Sequence, residues 1–347
     1  MQRGDVEMKH TYIICEIGVN HNGDMNLAKE MIEKSKKCGC DAVKFQAYKT
    51  EDLVKENTFL AEYQKSNLRN EKNSQFNMLN KYELSEDNFM ELKKISDSLN
   101  VDFLVTPFDL HSLQYLSEKL RLKKIKISSA DLNNYPLLQA AIKLNMSVIL
   151  STGMATLEDI KSTVNFVEKN NGNIDGILHC TTSYPTIWED VNLNVIDTYK
   201  KEFFYPVGYS DHTVGDLIPV CAVAKGATII EKHVTLSRDL EGPDHKASME
   251  FADLKIMIEK IRTLEISLGD GVKIITDIEN KNKNIAIKKI VAGHDININH
   301  ILNYDDFNYL RSNDGIEVKF VDKLIGKKCK TEIKKGDPII WEMIDSD

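Results

Sequence analysis

Residues 123–152 read KKIKISSADLNNYPLLQAAIKLNMSVILST. A short isoleucine-rich run, Lys123–Ser128, stops at serines. A helical pattern then covers Tyr135–Leu144, and a second apolar run, Ser147–Thr152, again ends on hydroxyls. Lysine apart, both runs are continuous in apolar residues. That suits strands of a parallel sheet covered on both faces, whereas a strand with one wet face would alternate. The intervening helix is the crossover that two parallel neighbours require.

The same unit recurs on either side of this stretch. Further strand candidates are Thr11–Gly18, Asp41–Ala47, Asp102–Phe108, Gly176–Ser183, Pro206–Asp211 and Thr228–Val234. The strands are followed by helical patterns at Met25–Lys37, Ser85–Leu99, Leu110–Lys119, Thr156–Lys169, Asn192–Lys200, Val214–Ala224 and Phe251–Leu268. Ser85-x-x-Asn and Thr156-Leu-Glu-Asp are helix-start signals, and Gly39 and Gly172 stand where helices stop. Eight β–α units in one domain predict a closed (β/α)₈ TIM barrel, an α/β fold, over residues 1–269. The long polar insertion Lys49–Glu83 is expected to cover the active-site face. Residues 270–283 are charged, lack apolar periodicity and read as a linker. Short strands and Lys- and Asn-rich turns over 284–347 read as a small β-rich domain.

Composition narrows the function. The 347 residues carry 45 basic and 53 acidic side chains, a net charge of −8. That argues against general binding to nucleic acid or to an anionic membrane surface. No apolar run is long enough to span a bilayer, and residues 1–10 lack the apolar core of a secretory signal, so a cytoplasmic location is expected. The six cysteines form no zinc set and are expected to be reduced structural thiols.

In such barrels the chemistry sits at the C-terminal ends of the strands, and there the polar residues gather. Glu16 ends the first strand, Lys44 and Gln46 the second, and Thr106 the third. Lys126 and Ser129 lie at the fourth, Ser151 at the fifth and Tyr184 past the sixth. Ser210, Asp211 and His212 end the seventh, and Glu231 and His233 the eighth. His212 and His233, on adjacent strands, could share one exchangeable divalent ion, or be hydrogen-bonded core histidines. Glu231 shares a strand face with His233 and could orient a water. Lys44 and Lys126 interrupt apolar runs. With Ser129, Ser151 and Ser210 they could cradle a phosphate or carboxylate; either lysine could instead pair with Glu16 or Glu231, or form a Schiff base. Glu16 suits acid–base work, or pairing with Lys44. Asn20, His21 and Asn22 could simply cap the first helix, and Asp244 could bind sugar hydroxyls.

Taken together, Glu16-Ile-Gly-x-Asn-His-Asn-Gly, Ala42-Val-Lys-Phe-Gln, Thr106-Pro-Phe-Asp, Lys126-Ile-x-Ser, Ser151-Thr-Gly-Met-Ala, Tyr184-Pro-Thr, Gly208-Tyr-Ser-Asp-His, Glu231-Lys-His-Val-Thr-Leu and Gly242-Pro-Asp-His-Lys-Ala-Ser resemble the sialic acid synthase family, in family order over residues 11–255. The C-terminal piece resembles the antifreeze-like (SAF) domain that ends those enzymes. The resemblance implies condensation of phosphoenolpyruvate with N-acetylmannosamine and water to give N-acetylneuraminate and phosphate by metal-dependent C–O cleavage. It implies Glu16 and Glu231 as catalytic residues and His212 and His233 as ligands of a divalent ion, manganese above magnesium or cobalt. Lys44, Lys126, Ser129, Ser151 and Ser210 would hold phosphoenolpyruvate, and Gln46, Tyr184 and Asp244 would sit near the sugar. It further implies a domain-swapped homodimer in which Arg311 reaches the sugar's acyl group; here the usual Arg-Pro-Gly reads Arg311-Ser-Asn. Some members carry an asparagine near the metal, whose counterpart here would be one of Asn70, Asn73 and Gln75. Two other readings stand beside this one. The first is a legionaminate synthase using 2,4-diacetamido-2,4,6-trideoxymannose, and the second a non-catalytic sugar- or ice-binding protein.

Overall fold

The computed structural model describes residues 10–68 and 74–345, so Asn70 and Asn73 lie outside the described residues. Eight parallel strands run β1 Tyr12–Gly18, β2 Ala42–Ala47, β3 Asp102–Pro107, β4 Lys124–Ile127, β5 Ser147–Ser151, β6 Ile174–Cys180, β7 Val207–Asp211 and β8 Ile229–Thr235. Their hydrogen-bonded order is β3-β2-β1-β8-β7-β6-β5-β4, a nearly closed barrel whose seam lies between β3 and β4. A two-residue strand, β9 Met249–Glu250, adds to the end of β8.

The period-two alternation of a strand explains how continuous apolar runs can also carry chemistry. On β1, Ile13, Cys15 and Ile17 join the large core between sheet and helices. Ile14 joins Ala42, Leu104, Ile149, Leu178 and Ile229 in a separate apolar cluster. Moving two residues along from that cluster reaches Glu16 on β1, Lys44 on β2 and Glu231 on β8. Register sets these side by side: Glu16 pairs with Lys44 on one neighbour and with His233 on the other.

Helix boundaries follow their local signals. Ser85 and Asn88 form a reciprocal capping box, as do Thr156 and Asp159. Gly39 ends the first helix with φ at +91°, a left-handed conformation natural to glycine. Asp24 caps that helix by accepting from the Asn26 N–H, so Asn20–Asn22 do not serve as its cap. The sixth strand begins and ends earlier than expected, and Thr181–Ser183 belong to the loop that follows it, before the cis Tyr184–Pro185 bond.

Two further expectations change. The insertion is not merely polar: it forms short helices at Thr50–Leu53, Glu62–Asn67 and Gln75–Tyr82. Leu60, Leu68, Met78, Leu79 and Tyr82 pack there with Val19 and Tyr48 in an apolar cluster of their own. Cys15 and Cys40, expected as reduced thiols, are joined in a disulfide, while Cys38, Cys180, Cys221 and Cys329 are free. Cys40 lies two residues before the start of β2, the neighbour of β1, and the two Cα atoms are 6.5 Å apart.

The chain divides into two compact units, Met1–Asp270 and Gly271–Asp347. Part of the stretch read as a linker is a helix, Asp277–Ala286, started by a capping box of Thr276 and Glu279. The signal lay in that cap rather than in apolar periodicity. In the second unit β10 Lys288–Ala292 pairs antiparallel with β11 Phe307–Arg311. Isolated bridges such as Ile296–Ile333 and Cys329–Ile344 close the rest around buried Ile290, Leu302, Phe307, Leu324 and Ile339. Among the described residues, no helix is long and apolar enough to cross a membrane.

Candidate active site

A cavity of about 730 Å³ opens at the C-terminal ends of the strands. It is lined by Glu16, Lys44, Gln46, Lys126, Ser129, Ser151, Tyr184, Ser210, His212, Glu231, His233 and Asp244, which gathers in one place every barrel residue singled out from the sequence as catalytic, substrate-binding or metal-binding. Arg311 belongs to the second unit, exposed at the end of β11. Gln75 lines the cavity from the insertion.

At the floor lies a chain of opposite charges. Lys44 Nζ is 2.9 Å from Glu16 Oε2 and 3.7 Å from Glu231 Oε2, and Lys126 Nζ is 3.7 Å from Glu231 Oε1. All four side chains are buried. Lys44 also donates to Thr106 Oγ1 at 3.1 Å, and Lys126 donates to Ser151 Oγ at 2.5 Å. Burial of isolated charges would be costly, so each cation stands against a carboxylate.

The two carboxylates are pulled apart electrostatically. Burial pushes the Glu16 carboxyl above its usual range; Lys44 opposes that only in part, and the charge of Glu231 adds to it. Burial acts on Glu231 too, but Lys126 and Lys44 override it and bring the carboxyl down to about 2. Ser210 Oγ donates to Glu231 at 3.0 Å, and Gln46 Nε2 donates to Glu16 at 3.0 Å. Neighbouring groups with divergent pKa values are suited to different protonation states during one reaction. The lysines hold Glu231 as the anion, whereas burial favours the protonated form of Glu16.

The histidines face one another with ring centroids 5.4 Å apart, and Tyr184 lies 4.1 Å from His212 and 5.7 Å from His233. His212 Nδ1 donates to the Thr181 carbonyl at 2.8 Å, which fixes the ring and leaves Nε2 as its acceptor. His233 is buried, its Nδ1 has no hydrogen-bond partner among the described residues, and burial together with the nearby His212 holds its pKa well below the usual value. Burial opposes the charged form of His212 as well, but Cys180 and the Thr181 carbonyl outweigh it and raise its pKa above the usual value. As neutral imidazoles the pair would fit a divalent ion whose remaining positions are open. No group of three or more His, Cys, Asp or Glu side chains that could hold a metal occurs among the described residues.

The Ser151-Thr-Gly-Met turn has a steric logic. A Cβ at Gly153 would lie 2.1 Å from Thr182 Oγ1 and 2.9 Å from Ser129 Oγ. Only glycine lets the Gly153 N–H receive the Ser129 hydroxyl as acceptor at 2.9 Å. Gly18, with φ at +55°, turns the chain away directly behind the Glu16–Gln46 hydrogen bond.

Some residues do other work than expected. Asp211 is not a cavity residue; it accepts from buried Lys232 at 2.5 Å and from Thr213, on the side of the strands away from the cavity. Asn20 ties the first loop to β8, donating to Val234 O and Ser248 Oγ, both at 2.8 Å. Asp244 is buried in the turn after β8, and burial, with the Glu16 charge, lifts its carboxyl to about 6. Asn67 of the insertion donates to Pro243 O at 2.6 Å, fastening roof to turn. Sequence reasoning missed the lining residues Asp131, Thr182 and Ser183, and also Leu53, Val54 and Phe108. Asp131 follows Ser129 by two residues and was within reach of the motif. The apolar residues carried no signal, since they read as ordinary core.

Fold and cavity define a barrel whose strand-end pocket sets two buried lysines beside two carboxylates and a histidine pair. Residues 31–273 match the NeuB family and residues 289–345 the SAF domain. The chain is 42% identical over 337 residues to N,N'-diacetyllegionaminic acid synthase of Campylobacter jejuni, covering 96% of this chain and 100% of that protein. It is 33% identical to human N-acetylneuraminate-9-phosphate synthase over 96% and 93% of the two chains. The crystal structure of an N-acetylneuraminic acid synthetase from Leptospira borgpetersenii, in complex with citrate, superimposes with a TM-score of 0.70 at 35% identity, covering 81% of this chain and 94% of that one. The chain belongs to the NeuB family.

Proposed function

We propose that the protein is a nonulosonate synthase that joins phosphoenolpyruvate and water to an open-chain N-acylated mannosamine-type sugar, releasing a nonulosonate and phosphate; with N-acetylmannosamine as acceptor the product is N-acetylneuraminate. The observation that carries this reading is the buried charge chain Glu16–Lys44–Glu231–Lys126 on the floor of the cavity that also holds the histidines. Lys44 and Lys126, with Ser129, Ser151 and Ser210, receive the phosphate and carboxylate. The alkene C3 attacks the aldehyde carbon of the open-chain sugar while Glu16, its carboxyl poised by burial, moves a proton. Water adds at C2, the C2–O bond breaks, and phosphate leaves against the lysines. Glu231 stays ionised throughout and keeps both lysines charged. A divalent ion, manganese above magnesium or cobalt, held by His212 and His233 would polarise the aldehyde oxygen.

A second acceptor, 2,4-diacetamido-2,4,6-trideoxymannose, is favoured by the higher identity to the legionaminic acid synthase, 42% against 33%. Tyr184, Gln46 and Asp244 would border either sugar. We further propose a cytoplasmic homodimer in which Arg311 serves the acceptor site of the second copy. Phosphate release from phosphoenolpyruvate, with manganese and each sugar in turn, tests the reaction. Release with one sugar and none without it is the expected result; silence with both refutes it. Sedimentation of wild type and Arg311→Ala, with the KM for sugar, tests the dimer: a monomer, or an unchanged KM, refutes that role.

A further inference from the structure

The cavity has two unlike sides. The floor, at the strand ends, carries the lysines, carboxylates, histidines and serines. The insertion above it presents Leu53, Val54, Met78 and Leu79, joined by Val19 after β1 and Phe108 after β3. These six form part of one apolar cluster with buried Leu60, Leu68 and Tyr82 behind them. Leu53, Val54 and Phe108 are only partly buried, leaving apolar surface toward the cavity.

Among the described residues, polar groups on the roof are few. Gln64 Oε1 is occupied in accepting from the Ala61 N–H at 2.9 Å. Gln75 lines the cavity at the start of its helix and can meet an amide. The anionic substrate is drawn to the floor lysines and the aldehyde must meet it there, so the acceptor's far carbons point up to the roof. A hydroxyl set against that wall loses water without gaining a partner, whereas a methyl group gains by leaving water.

We propose that Leu53, Val54, Met78, Leu79, Val19 and Phe108 form the specificity-determining wall of the acceptor site, selecting a sugar deoxygenated and acylated at the end remote from its aldehyde over one with hydroxyls there. The proposal rests on the synthase reading given above and chooses between its two acceptors. A hydrophobic pocket discriminates modestly, so a preference of roughly 10- to 200-fold in kcat/KM is expected.

The test compares N-acetylmannosamine with 2,4-diacetamido-2,4,6-trideoxymannose, in wild type and in Val54→Thr and Leu53→Asn. Val54→Thr changes shape least and serves where Leu53→Asn fails to fold, which circular dichroism reveals. The wall is supported if the wild type prefers the trideoxy sugar and the variants lose that preference by roughly tenfold, through a higher KM for the trideoxy sugar with the KM for phosphoenolpyruvate unchanged. A wild type preferring N-acetylmannosamine, or variants that slow both sugars in parallel, overturns it. A wild type that consumes phosphoenolpyruvate with neither sugar refutes the synthase reading itself, which separates the two failures.

Discussion

Glu16→Gln isolates proton transfer from charge. The replacement is isosteric, and the surroundings limit its structural cost. Lys44 loses the carboxylate at 2.9 Å but keeps Glu231 at 3.7 Å and the Thr106 hydroxyl at 3.1 Å. Gln46, now facing an amide, can turn its own amide to restore the hydrogen bond. Burial already favours the neutral form of Glu16, so a neutral side chain there does not add an unpaired charge. Stability should fall by no more than about 1 kcal/mol. Turnover should fall by about 10²- to 10⁴-fold, the usual worth of a positioned acid–base group, or ~3–5 kcal/mol of barrier. The assay is initial phosphate release with saturating substrates, paired with calorimetric titration of phosphoenolpyruvate. Turnover within threefold of wild type would refute the role. So would an equal loss of phosphoenolpyruvate affinity, because Glu16 would then act only by holding Lys44.

Lys44→Met leaves Glu16 and Glu231 buried side by side without their shared cation, and breaking such a pair costs about 3–5 kcal/mol. Raised carboxyl pKa values mean stability present at low pH and lost as pH rises, so urea denaturation should show a larger deficit at pH 8 than at pH 5; a uniform deficit contradicts the argument. Gly153→Ala should displace Ser129 or Thr182 and raise the KM for phosphoenolpyruvate, with overpacking of about 1–3 kcal/mol, and an unchanged KM with unchanged melting would show the site to be roomier than the contacts imply. Asp244→Asn should remove an ionisation near pH 6 from the kcat/KM profile for the sugar, and should stabilise the fold at pH 8 relative to pH 5, since the wild-type carboxyl must ionise while buried. Chelation should abolish turnover and manganese restore it, except in His233→Ala, whose loss of manganese binding is read by titration independently of activity.

How far the sequence could be read depends on what each residue must satisfy. Strands such as Ala42–Ala47 and Lys124–Ile127 were legible because burial on both faces leaves so few polar letters that Lys44 and Lys126 stand out. Their inward direction followed from period two, and register with neighbouring strands then closed the cavity. Residues whose meaning depends on a distant partner were not legible. Asp211 reads as one more polar strand end, yet Lys232, on the next strand and facing the same side, claims it. Cys15 reads as a small hydrophobe and Cys40 as a helix-end thiol, because adjacency of β1 and β2 in a barrel does not by itself say which side chains meet across them.

The insertion shows the opposite limit. Its composition announces a polar loop, and the cap and hydrogen bonds of Glu83, Gln64 and Asn67 do anchor it. Glu83 accepts from Lys49 at 3.0 Å and from the Thr50 N–H at 2.9 Å, closing the two ends of the insertion on one carboxylate. A loop closed in this way loses less entropy when it orders than one held at a single end. It can therefore hold Leu53 and Val54 against water over the cavity, a placement that would otherwise favour folding them inward. The charged floor is tightly constrained, since Lys44 and Glu231 each stand between two groups of opposite charge. The roof is under no such constraint: its apolar residues can be exchanged at modest cost. Selectivity among sugars should therefore change through the insertion while the floor stays as it is.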